Sequence, residues 1–143
     1  DVDDEAIAEA RENSYPDTIA ADVSEERLKK FFTREGSRWR VKKELRESVL
    51  FAPHNVLRDP PFSKLDLVTC RNLLIYLNRE TQERVTEIFH FALRLGGYLF
   101  LGSSETAEAV PELFSVVDKK YRIYQRRAAR LGVHLIQRHV EHL

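Results

Sequence analysis

The segment Asp66 to Asn78, DLVTCRNLLIYLN, constrains the fold more than any other stretch of the chain. Leu65, Leu67 and Val68 are apolar and flanked by loop residues, which reads as a short strand. The apolar run breaks at Arg71 and Asn72. A short helical turn, Leu73 to Leu77, follows, and Asn78 is placed to cap a long amphipathic helix. A strand, a polar pair and a helix in that order predict an α/β unit. In open α/β sheets, ligands bind at the carboxyl ends of parallel strands, where Arg71 and Asn72 fall. A strand that simply ends in polar residues gives the same pattern, and the pattern alone leaves both readings open.

The helix predicted after Asn78 runs from Arg79 to Arg94. Val85, Ile88, Phe89, Ala92 and Leu93 recur at helical spacing, with Glu80, Glu83, Arg84 and Glu87 outside. Gly96-Gly97 is expected to stop it. Tyr98 to Leu101 then reads as a buried strand, with Ser103-Ser104-Glu105 at its end. Phe114 to Val117 and Tyr121 to Tyr124 bracket Asp118-Lys119-Lys120 as an antiparallel hairpin at the sheet edge.

Upstream, Asp1-Val2-Asp3 looks like the tail of a strand, and Asp4 is expected to cap a helix reaching about Glu12. Residues 13–23 read as loop, with Tyr15-Pro16-Asp17 as a turn signal. Ser24 caps a short helix to about Phe32. Phe32 to Lys42 predicts a hairpin turning at Gly36-Ser37. There Trp39 and Val41 alternate with Arg38, Arg40 and Lys42, giving one apolar and one basic face. Read from the residues alone, the basic face is a solvated charged surface. Val49 to Ala52 is predicted as an apolar strand ending in Pro53-His54-Asn55.

At 143 residues the length sets an expectation of one domain at most. Acidic and basic residues balance at 23 each, so net charge offers no argument for nucleic acid or an anionic membrane. The single cysteine, Cys70, cannot form an internal disulfide. With no apolar run near the ~20 residues that span a bilayer, and no leader pattern, a cytoplasmic location is the expectation. The abrupt start, with no Met anywhere, reads as a piece of a longer protein.

The runs DLVTCRNLLIYLN, TQERV and GGYLFLGSSE, in that order, resemble the C-terminal half of the CheR family. These are S-adenosylmethionine-dependent methyltransferases that esterify glutamates of chemotaxis receptors. The resemblance extends to Arg127, and the wording from Leu50 to Asn78 is closest to CheR modules fused to CheB and sensor domains. It implies an α/β fold: part of a Rossmann-like methyltransferase sheet, with a small antiparallel hairpin subdomain and a C-terminal helical tail. Residues 1–127 would be the catalytic-domain portion, 24–47 the inserted receptor-contacting subdomain, and 128–143 a helical tail or linker.

By the same resemblance, Asp1 is the ribose ligand and Asn55 and Val56 lie along the adenine. Arg71 and Asn72 flank the adenine and the methionine part, and Tyr76 sits beside the transferring methyl. S-adenosylmethionine is the implied cofactor, with S-adenosylhomocysteine as product, and no metal is expected. Arg38, Arg40 and Lys42 would meet a methyl-accepting receptor. The hairpin loop is shorter than in members that hold a tethering peptide by strand addition. From the residues alone, Tyr76 in an apolar helical turn reads as a packing residue. Cys70 beside Arg71 could be an activated thiol, although no His stands at a recognised spacing. A methyltransferase fold kept as a non-catalytic docking module is the rival reading.

The family's sheet orders its strands 3-2-1-4-5-7-6. Val49 to Ala52 would be strand 3, Leu65 to Thr69 strand 4 and Tyr98 to Leu101 strand 5. Strand 4 would then carry an unguarded apolar edge. Expected ways to cover it are strand 3 moving onto strand 4, self-association with a second copy, or a further upstream piece.

Overall fold

Two sheets organise the chain, one in each of two compact units, Asp1–Asn55 and Val56–Leu143. The computed structural model describes residues 1–128. The tail expected over 128–143 therefore lies, but for its first residue, outside the described residues.

In the first unit, helix α1 spans Asp4–Glu12. Its cap is Asp3 rather than Asp4: the Asp3 carboxylate accepts from the Glu5 and Ala6 amides at 2.9 and 3.2 Å. Asp1 to Asp3 is not a strand, because these residues serve as the helix entry. The segment read as loop contains a strand, β1 (Ser14–Pro16), and a 3-10 turn, Asp17–Ala21. Ser24 caps α2 (Glu25–Phe31), its hydroxyl accepting from the Arg27 amide.

The expected hairpin forms from β2 (Phe32–Glu35) and β3 (Arg38–Val41). β1 joins it antiparallel, so β3 lies in the middle of a three-stranded sheet. Asn13 sets the junction: its side chain donates to the Val41 carbonyl, whose own amide donates back to the Asn13 carbonyl.

A short helix, α3 (Lys43–Arg46), comes next, and the strand expected over Val49 to Ala52 is absent. A strand requires a neighbour to satisfy its backbone. Here the Ser48 and Val49 amides donate back to Leu45 and Arg46. The Val49 and Phe51 carbonyls accept from the guanidinium groups of Arg46 and Arg11. With these groups satisfied locally, Leu50 points outward, 89 % exposed.

The second unit carries β4 (Leu65–Cys70), α4 (Arg79–Ala92), β5 (Leu93–Leu101), β6 (Phe114–Asp118) and β7 (Ile123–Arg126). β4 and β5 are parallel, with α4 as their crossover, and β5–β7 and β7–β6 are antiparallel. The order β4-β5-β7-β6 places β4 at one edge of the described sheet. Asn78 caps α4 as expected, accepting from the Thr81 amide at 2.8 Å.

The helix ends two residues before Arg94, and Gly96-Gly97 does not stop it. Both glycines lie inside β5, where four residues of β5 oppose one of β4 between the Leu65–Leu93 and Leu67–Tyr98 pairs. Such a bulge needs glycine. Gly96 has φ +77°, and a Cβ on Gly97 would stand 2.9 and 3.1 Å from the Arg94 and Leu65 carbonyl oxygens.

One face of this sheet builds the core: Leu99 and Leu101 of β5 and Tyr124 of β7 pack with Val85 and Phe89 of α4 and with Leu74. Full burial of each such side chain stabilises by about 1.5–3 kcal/mol. The core fixes α4 on the sheet and thereby fixes the loop between β4 and α4.

Candidate active site

β4 ends at Cys70, and the chain turns at Arg71 and Asn72. Asn72 adopts φ +66°, a left-handed conformation that asparagine tolerates better than most residues. The Arg71 guanidinium donates to the Leu101 carbonyl at 2.7 Å and lies 4.2 Å over the Phe100 ring. Arg71 therefore lies along the end of β5, and the carboxyl ends of the two parallel strands carry one shared polar cap.

Glu105 holds this cap. Its side chain follows β5 and is 3 % exposed. Oε1 accepts from the Gly102 and Asn72 amides, each at 2.8 Å, and Oε2 accepts from the Ile75 amide at 3.2 Å. A buried carboxylate is tolerated when main-chain donors surround it, and charge-assisted bonds of this kind are stronger than neutral ones. Gly102 makes the approach feasible. A Cβ there would lie 2.6 Å from both Asn72 Oδ1 and Glu105 Oε1.

The 3-10 turn Leu74–Tyr76 continues the loop. Gln82 of α4 donates from Nε2 to the Leu74 and Leu77 carbonyls at 2.8 and 3.0 Å. The turn is thus gripped on both sides, its N–H side by Glu105 and its carbonyl side by Gln82. Leu74 is buried beneath it, and Tyr76 stands outward at 80 % exposure.

The second unit therefore brings Arg71, Asn72 and Tyr76 together on one braced loop. Val56 is half-buried against the core of the same unit. Asp1 and Asn55 belong to the first unit. There the His54 amide donates to the Asp1 carbonyl at 2.7 Å, which brings Asp1 to the segment holding Asn55. The Asp1 carboxylate accepts from the Asp3 amide at 2.9 Å.

The basic residues of β3 and after it have partners within their unit. Arg38 donates to the Ser14 hydroxyl and carbonyl, Arg40 to the Glu35 carboxylate and the Glu12 carbonyl, and Lys42 to the Lys29 carbonyl. Arg38 and Arg40 remain exposed, while Lys42 is half-buried.

Burial pushes the Cys70 thiol up to about 11, and the Glu105 charge adds to the shift. At neutral pH the thiol is protonated and is not an activated nucleophile. Among the described residues no cluster of His, Cys, Asp or Glu suits a metal ion. No helix among them is long and apolar enough to cross a membrane.

Family resemblance gave the run from Gly102 to Glu105 a structural role near the site without naming its partners, and Gln82 was passed over. The only signals were an acid three residues past a strand-ending glycine and a glutamine four residues into a capped helix.

The family model described as CheR methyltransferase, SAM binding domain, matches residues 1–123. A 104.1 kDa protein from the hypE 3' region of Rhodobacter capsulatus is 46 % identical over 125 residues, covering 87 % of this chain and 13 % of that protein. The chemotaxis protein methyltransferase Cher2 of Pseudomonas putida is 38 % identical over 102 residues, covering 70 % and 37 %. Chemotaxis protein methyltransferase 1 of Pseudomonas aeruginosa is 36 % identical over 122 residues, covering 82 % and 44 %. The chain thus spans less than half the length of each of these relatives.

Proposed function

Because the chain belongs to the CheR methyltransferase family, as part of its SAM-binding domain, we propose that the intact protein transfers a methyl group from S-adenosylmethionine to receptor glutamates, forming methyl esters. The observation that carries this reading is the braced loop after β4. Glu105 presets Asn72 and the turn of Tyr76, while Arg71 lies across the end of β5. Ligands of open α/β sheets bind at such an end.

The residues suit the cofactor. Gly102 lets Asn72 and the Glu105 carboxylate pack closely at the strand ends, since a Cβ there would stand 2.6 Å from an oxygen of each. Arg71 and Asn72 would flank the cofactor's adenine and methionine part, Asn72 with its side chain, since its main-chain amide donates to Glu105. Asp1 would take the ribose hydroxyls, and Asn55 and Val56 would lie along the adenine. When bound, S-adenosylmethionine supplies an electrophilic methyl on a sulfonium whose leaving group is neutral. The glutamate nucleophile is already ionised at neutral pH. The work of the protein is therefore alignment and exclusion of water. Tyr76, displayed on a turn held from both sides, would orient the reacting groups.

Arg38, Arg40 and Lys42 would steer an acidic receptor segment, and the exposure of Arg38 and Arg40 supports that role. Residues 1–127 would be the C-terminal portion of the catalytic domain, with 24–47 the receptor-contacting subdomain and 128–143 a helical tail or linker in a cytoplasmic fusion protein. The match to 13 % of a 104.1 kDa relative supports a large parent.

The test is methyl transfer by the intact parent from isotopically labelled S-adenosylmethionine to receptor protein. Label released as methanol by mild base is the expected result, since carboxyl esters are base-labile. Receptor binding with no base-labile label would replace the enzyme by a docking module.

A further inference from the structure

We propose that Glu105 is a positioning residue with two separable duties, one for each carboxylate oxygen. The proposal rests on the methyltransferase reading above. Oε1 serves the cofactor side: it accepts from the Gly102 and Asn72 amides and so holds Asn72 at its left-handed φ of +66°. Oε2 serves the methyl side: it accepts from the Ile75 amide, within the turn that displays Tyr76.

The segment that carries Asn72 and Ile75 is 30–33 residues away from Glu105 in sequence, so the link is purely tertiary. Among the described residues, the donors to this carboxylate are the main-chain amides of Asn72, Ile75 and Gly102. A carboxylate is the one side chain here that accepts on both sides at once. The fixed backbone of Gly102 sets the near side, because a Cβ there would collide with Glu105 Oε1 and Asn72 Oδ1 together.

Glutamine separates the two duties. Its carbonyl oxygen can replace Oε1 and keep two of the three bonds. Its amide nitrogen then faces the Ile75 N–H, donor against donor, and that bond is lost. The flipped amide would lose two bonds to keep one, so the first orientation prevails. Glu105→Gln frees the Tyr76 turn and leaves Asn72 in place. Glu105→Ala frees both.

The experiment measures methyl transfer and amide hydrogen exchange on the intact parent and on both variants. For E105Q, kcat should fall about tenfold with the cofactor KM within about twofold, the scale of one lost charge-assisted hydrogen bond. Exchange at Ile75 should accelerate while exchange at Asn72 stays slow. For E105A, the cofactor KM should also rise about tenfold or more, and both amides should exchange quickly. Equal losses in kcat and KM for E105Q, or unchanged exchange at Ile75, would overturn the proposal. If E105A does not fold, E105Q alone decides. A wild-type parent that neither binds cofactor nor transfers methyl would remove the methyltransferase reading instead, while the exchange pattern would still report on the two-sided clamp.

Discussion

Glu105 Oε1 accepts from the Asn72 amide at 2.8 Å, joining the second residue after β4 to the fourth residue after β5 across 33 positions of sequence. The bond ties together the ends of two parallel strands, where the proposed cofactor site lies. It also fixes an asparagine in a conformation that would otherwise compete with extended backbone.

Gly102→Ala should break this arrangement. The new Cβ would lie 2.6 Å from two oxygen atoms, so the loop or the carboxylate must shift. A loss of about 1–3 kcal/mol of stability is expected, the range for overpacking. Denaturant unfolding of the parent would measure it, together with a fall in cofactor affinity by calorimetry. An unchanged midpoint would show that the cap is softer than its geometry indicates.

Tyr76→Phe should leave stability within about 0.5 kcal/mol, because the ring is 80 % exposed. Turnover should fall more than cofactor affinity. Asp1→Ala should do the reverse, weakening cofactor binding by about 1.5–3 kcal/mol, the scale of a hydrogen bond to a charged group. Steady-state kinetics and calorimetry on both variants separate the two roles. Equal effects in both would count against the assignment.

His90 should make the second unit sensitive to acid. It is buried, its Nε2 lies 2.8 Å from the Arg127 carbonyl, and its ring packs edge-on to Phe114. Burial lowers its pKa below the usual 6.5, the hydrogen bond to Arg127 opposes the shift, and Arg126 adds to it. Below pH 6.5 the unfolded chain binds a proton that the folded chain resists. Stability should therefore fall as pH drops through 6.5 towards the folded pKa. Urea midpoints between pH 7 and 5 should show the slope, and His90→Gln should flatten it.

Cys70 should resist thiol reagents at pH 8, since its pKa is raised to about 11. Alkylation by iodoacetamide should be much slower than for a free thiol and should rise steeply towards pH 11. The folded state keeps the proton that the unfolded state loses near 9.0, so this group's contribution to stability declines as pH climbs from 9 to 11. Rapid labelling of the folded protein at pH 8 would refute the shift.

Much of the fold was legible because its signals are local. The Asn78 cap, the Ser24 cap, the Phe32–Val41 hairpin and the strand over Leu65 to Cys70 depend on neighbours a few residues away. The place of Arg71 and Asn72 after that strand was equally legible. Their roles came from family resemblance, not from any property of the two side chains.

Three features were decided only in three dimensions. Val49 to Ala52 has the composition of a strand, but its carbonyls meet guanidinium groups from Arg46 and Arg11 instead of a neighbouring strand. Gly96-Gly97 looks like a helix stop, but the pairing of β5 with β4 turns it into a bulge. Glu105 reads as a polar residue at a strand end, but it is the acceptor for three amides. Caps and turns are set by short-range hydrogen bonds that the sequence determines by itself. Strand pairing and a buried carboxylate depend on which distant backbone groups are left unsatisfied, and only the tertiary structure decides that.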